Sequence, residues 1–158
     1  MQDRKSKFEW CLASDKRMKR VEVDEELSKQ HIEKAKHNLR AADYNIVGGF
    51  SDWAVSQVYY AMYHSLLAIL FKKGLESKNH ECTINAVEYM IENGEINIDK
   101  EDIAFIRTAE QMTEKDAKSL REEFQYGVKT EVNEELLSLL ISKAKKIVEK
   151  IEIVLDEL

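Results

Sequence analysis

Toward the C-terminus, Leu137, Ile141, Ala144, Val148, Ile151, Leu155 and Leu158 recur at intervals of three and four residues. An α-helix turns once in 3.6 residues, so this spacing gathers the apolar side chains on one face and predicts a helix starting around Asn133. The same period appears earlier in the chain. Leu27, Ala35, Leu39, Ala42 and Ile46 mark a helix from about Asp24 to Val47, and Ile84, Val87 and Ile91 mark one from His80 to Asn93. Ile103, Ile106, Ala109 and Leu120 mark another that starts near Asp99. Between the first two lies a segment from Ser51 to just before Gly74 that is apolar nearly all round. Ser51 is its expected N-cap, with Asp52 complementing the helix dipole. Strand-like alternation is absent, and residues 1–23 offer at most a short helix around Phe8 to Leu12.

The chain has no proline and five glycines, Gly48, Gly49, Gly74, Gly94 and Gly127, each where a helical pattern stops. A helix end favours a left-handed residue, and glycine adopts that conformation without steric cost. Short connections make sequence neighbours pack side by side, so the expected fold is all-α, an antiparallel up-down bundle of about five helices. Residues 24–158 form the bundle domain, preceded by an arm over 1–23. The second helix, with apolar residues on every side, is expected either to be the hub of the bundle or to meet a second subunit, and a homodimer is the favoured expectation.

At 158 residues the chain is long enough to bury roughly 70% of its unfolded surface in one domain. Its net charge of −6 disfavours non-specific binding to nucleic acid. Residues 1–22 hold seven Lys/Arg against four Asp/Glu, a surplus of three that leaves −9 on the rest. That arm either touches phosphates or is a solvated lead-in, and the second is the plainer reading. Cys11 and Cys82 lie far apart in sequence and suggest no disulfide framework, so a reducing, cytoplasmic setting is expected. No signal peptide is expected, because no long apolar run follows the early basic residues. Trp53 to Phe71 has the length of a membrane span but contains Ser56, Gln57, His64 and Ser65, so a buried central helix is expected and no membrane partner.

Candidate chemistry collects around that helix. Gln57, Tyr60 and His64 follow one another at three and four residues and form one polar seam. The plainer reading of His64 is a hydrogen-bonded core or interface residue. His80 opens the third helix behind Ser77, Lys78 and Asn79, where free N–H groups and the dipole suit an anion, or where Ser77 and Asn79 simply cap the helix. His80, Cys82 and His64 are too few for zinc, and neither a Walker loop nor GxGxxG occurs. No metal and no cofactor are expected.

The order Tyr60-Ala-Met-Tyr-His64, then KKGLESKNH ending at His80, then LREEFQYG from Leu120 to Gly127 is similar to the HEPN domain family. The likeness is to its small stand-alone prokaryotic and archaeal, UPF0332-like branch, whose members read YAxxHA, KGLxxKSH and LRxxADYG. It spans roughly Leu27 to Leu158. It implies a dimerising helical bundle that binds nucleotides, often encoded beside a minimal nucleotidyltransferase in a toxin–antitoxin-like pair. Some relatives are metal-independent ribonucleases carrying Arg-x(4–6)-His. Here Arg121 is followed by Tyr126 at the first allowed histidine position and by Gly127 and Val128 at the next two. A phenol near pKa 10 is a poor base at neutral pH, although Arg121 retains the planar fork that suits phosphate. Gln125 stands where the branch has Asp.

Three readings follow. The first is a binding dimer whose seam of Tyr60, His64, His80, Arg121 and Tyr126, with Lys78, receives a nucleotide or RNA phosphate or docks a nucleotidyltransferase. The second is a weak metal-independent ribonuclease with His64 or His80 as substitute base to Arg121. The third is a purely structural dimer.

Overall fold

The computed structural model describes residues 3–111 and 133–158. In chain order it comprises α1 (Arg4–Leu12), β1 (Met18–Arg20), α2 (Glu25–Val47), α3 (Ser51–Lys72), β2 (Leu75–Ser77), α4 (His80–Glu92), α5 (100–111) and α6 (Glu134–Asp156). The expected all-α bundle is present, with six helices among the described residues. Helix starts are set by side-chain caps: Asp24, Asn79 and Asn133 each accept a hydrogen bond from the backbone N–H three residues on. The start of α3 departs from expectation. Phe50 occupies its cap position without a side-chain bond, and Ser51 is already helical.

Helices α2 and α3 form an antiparallel hairpin turned at Gly48 and Gly49, of which only Gly49 takes a positive φ (85°). Helix α6 runs against both. Lys36 pairs with Glu152 and Lys145 with Asp43, each at 2.8 Å, so partners climb α2 as they descend α6. Helix α3 packs on α2, α4 and α6 and is the hub, which accounts for its all-round apolarity. Ala54, Val58, Ala61, Met62, Leu66, Ile69 and Leu70 are buried along it. Burying a side chain of the Leu or Ile class stabilises by about 1.5–3 kcal/mol, so this helix supplies much of the driving force. Its apolar window is two-thirds buried within the fold, as a core helix should be. Leu158 does not join the α6 stripe; it lies past the helix end and is exposed.

Four features of residues 3–23 depart from expectation. The segment is packed, not a solvated lead-in: Phe8, Cys11 and Met18 are buried in the common core. Helix α1 extends beyond the short stretch anticipated and lies on α4, with the Phe8 ring stacked on Tyr89 at 4.5 Å. A small antiparallel sheet exists, pairing Met18, Lys19 and Arg20 with Ser77, Glu76 and Leu75. Three-residue strands carry no readable alternation, and tertiary pairing creates them. Finally, Cys11 and Cys82 are joined in a disulfide with Cα atoms 5.7 Å apart, because α1 folds back onto the first turn of α4. Separation along the chain is no measure of separation in space, and two cysteines far apart in sequence do not by themselves indicate a reducing setting.

Candidate functional site

Tyr59 and Tyr63, one helical turn apart on α3, face the start of α4. The His80 ring stacks on Tyr63 at 4.1 Å and shares a 2.8 Å hydrogen bond between its Nδ1 and the Tyr59 hydroxyl. Tyr60 stands edge-on to both Tyr59 and His80 and is 44% exposed. Beneath these rings is a run of hydroxyls: Tyr63 to Thr83 at 3.2 Å, and Thr83 to Ser77 at 2.8 Å. Burial pushes the Tyr63 phenol up, opposed by the Thr83 bond and reinforced by the Glu110 carboxylate. That phenol is therefore neutral at physiological pH.

On the other flank of α3, His64 meets His31 of α2, with the two Nδ1 atoms 2.9 Å apart. The imidazole of His31 is sandwiched between His64 and Phe71, at 5.1 and 5.2 Å. Two neutral imidazoles in this arrangement must be of opposite tautomer, one donating Nδ1–H and the other accepting. Burial drives the His64 pKa down to about 4, and His31 and then Lys34 add to the effect. Burial also lowers His31. Together the rings make one polar-aromatic ribbon, Phe71–His31–His64–Tyr63–His80–Tyr59–Tyr60, crossing from α2 over α3 to α4.

Of the residues expected from sequence, Tyr60, His64 and His80 share this ribbon, but His64 and His80 occupy its opposite flanks. Lys78 is exposed, and its backbone N–H donates to the Arg17 carbonyl at 2.9 Å. Arg121 and Tyr126 lie outside the described residues. At the start of α4 the capping reading is realised: the Asn79 side chain takes the Cys82 N–H at 2.9 Å. Glu110 approaches His80 to 3.9 Å, and Glu81 occupies the first turn, where Arg107 holds both of its carboxylate oxygens. The N-terminus of α4 is thus capped by Asn79 and flanked by carboxylates, which disfavour a further negative charge there. The pair His80-x-Cys82 offers no thiolate ligand, since Cys82 is disulfide-bonded, and no group of three metal-ligating side chains occurs among the described residues.

Sequence reasoning overlooked His31, Tyr59, Tyr63 and Thr83. The four-residue spacing of Tyr59 and Tyr63 was a signal that they share a face. His31 had none, because its partner lies 33 residues away.

An all-helical bundle with a polar-aromatic seam on its hub helix is the class these observations define. The HEPN domain family model matches residues 28–154, and the chain belongs to that family. A UPF0332 protein of Archaeoglobus fulgidus is 29% identical over 119 residues, covering 75% of this chain and 87% of the relative. Membership places the chain among helical domains associated with nucleotides or RNA. The segment that carries α1 and β1 precedes the matched region.

Proposed function

We propose that this chain is a nucleotide- or RNA-phosphate-binding HEPN dimer and the cytoplasmic partner of a minimal nucleotidyltransferase in a toxin–antitoxin-like pair. The observation that carries the reading is the Tyr60–His80–Tyr63 cluster, in which the half-exposed Tyr60 and His80 rings offer a base a stacking surface while buried Tyr63 stacks beneath His80 and joins a hydroxyl network. Stacking of a base on an aromatic side chain contributes about 1–3 kcal/mol and tolerates any base. Positive charge for the phosphate comes from Arg121 and Lys78, because the α4 terminus alone is flanked by acids. The dimer uses the exposed apolar residues on either side of the α2–α3 turn, Tyr44 and Val47 at the end of α2 and Phe50 and Trp53 at the start of α3.

The ribonuclease reading is the weaker one. A base of pKa about 4 takes up little of a ribose hydroxyl proton at neutral pH, and His64 is already engaged with His31. Titration calorimetry of a nucleotide panel and short RNAs tests the binding reading. Arg121→Ala should weaken affinity about ten- to a hundredfold, the cost of about 1.5–3 kcal/mol for one charged hydrogen bond. Tyr60→Ala should weaken it less, and His64→Ala should leave it nearly unchanged. Loss of binding in His64→Ala alone reverses the assignment. RNA incubated with the protein and a chelator should stay intact; cleavage abolished by Arg121→Ala would establish the enzyme instead.

A further inference from the structure

The segment preceding the family match is tied to the bundle at one covalent point, beside the seam. We propose that Cys11 and Cys82 form a redox latch that locks α1 and β1 onto α4 when oxidised and lets them open when reduced. Both cysteines are wholly buried at the α1–α4 contact. Docking brings the sulfurs together, so the bond closes only in the docked arrangement and a closed bond in turn holds that arrangement. The two equilibria are linked and must favour one another.

The other attachments of this segment are slender. The sheet has three residue pairs in two strands, a size marginal by itself. Arg4 pairs with Glu92, and Lys19 with Glu76, at positions open enough to water for such pairs to contribute little, while the part-buried Arg4–Glu88 pair is the stronger ionic tie. The Phe8–Tyr89 stack and the burial of Phe8 and Met18 provide most of what remains. A crosslink that closes a loop of 71 residues therefore outweighs each of them. In a reducing compartment the pair rests as two thiols, and cytosolic disulfides that do form are commonly transient and redox-sensing.

Closure begins with the segment undocked, where the thiols meet solvent, by thiol–disulfide exchange with a low-molecular-weight disulfide, and finishes as the segment docks. One cysteine thiolate attacks a sulfur of the reagent and expels a thiolate; the second cysteine then attacks the mixed disulfide and expels the other. The protein loses two electrons and two protons, and the reagent leaves as two thiols. Opening is the reverse, driven by an external dithiol. Since β2 and the first turn of α4 carry Ser77, His80 and Thr83, release of β1 frees the Lys78 N–H from Arg17 and loosens the frame of the seam. The latch does not depend on what the seam binds.

Hydrogen exchange on the full chain, read by mass spectrometry of peptides covering residues 3–20, tests this with oxidised glutathione or dithiothreitol present. Exchange in this segment should be at least tenfold faster in the reduced chain, with α2 and α6 unchanged. Cys11→Ser should exchange at the reduced rate under both conditions. Rates within twofold between the two redox forms of the unsubstituted chain would overturn the latch. So would two titratable thiols in the chain denatured after oxidation.

Discussion

The His31–His64 pair should make this protein acid-sensitive well above the pH at which carboxylates titrate. An unfolded histidine has a pKa of about 6.5, whereas His64 in the fold is held at about 4. Between these values the unfolded chain binds a proton that the folded chain refuses. The contribution of this residue is therefore complete above pH 6.5 and is lost as pH falls toward 4. At pH 5 the linkage amounts to about 2 kcal/mol before screening and about 1 kcal/mol after discounting for a ring that is only half buried. His31, lowered by burial, acts in the same direction. Substitution His64→Ala should cost about 1–3 kcal/mol at pH 7 through the lost hydrogen bond and packing. The same substitution should flatten the fall in stability between pH 7 and 5 by about 1 kcal/mol. Urea unfolding at pH 7, 6 and 5 with the redox state held constant measures both effects, and comparing the two chains cancels the carboxylates. Parallel pH curves for the two chains, or a His64 imidazole resonance titrating near 6.5, would refute the reasoning.

Gly74 has φ +75°, and a Cβ there would lie 2.9 Å from the Val21 carbonyl oxygen, whereas Gly49 has φ +85° and open space around it. Gly74→Ala should cost about 2–3 kcal/mol and Gly49→Ala about 1 kcal/mol in urea unfolding, since only the first adds a backbone clash to the left-handed strain; equal costs would show that the contact is unimportant. Light scattering at micromolar concentration should give twice the 18.4 kDa chain mass, and Trp53→Asp should restore the single-chain mass; a monomer before substitution refutes the dimer.

Much of this protein was legible in one dimension. Periodicity placed α2, α3, α4 and α6 to within a residue or two, because an amphipathic helix writes its buried face into its own sequence. Asp24, Asn79 and Asn133 marked helix starts by a bond that spans three residues. The apolarity of Trp53 to Phe71 announced a hub helix before any neighbour was known. What only the tertiary structure decided is whatever joins residues far apart in the chain. The Cys11–Cys82 bond, the pairing of Met18–Arg20 with Leu75–Ser77 and the His31–His64 contact arise because α1 folds onto α4 and α2 lies along α3. None of these leaves a local pattern, since each depends on docking geometry and not on the order of neighbouring residues. The same limit governed the seam: spacing put Tyr60 and His64 on one side of a helix, but only packing decided that His64 turns to a second histidine while Tyr60 leans toward His80.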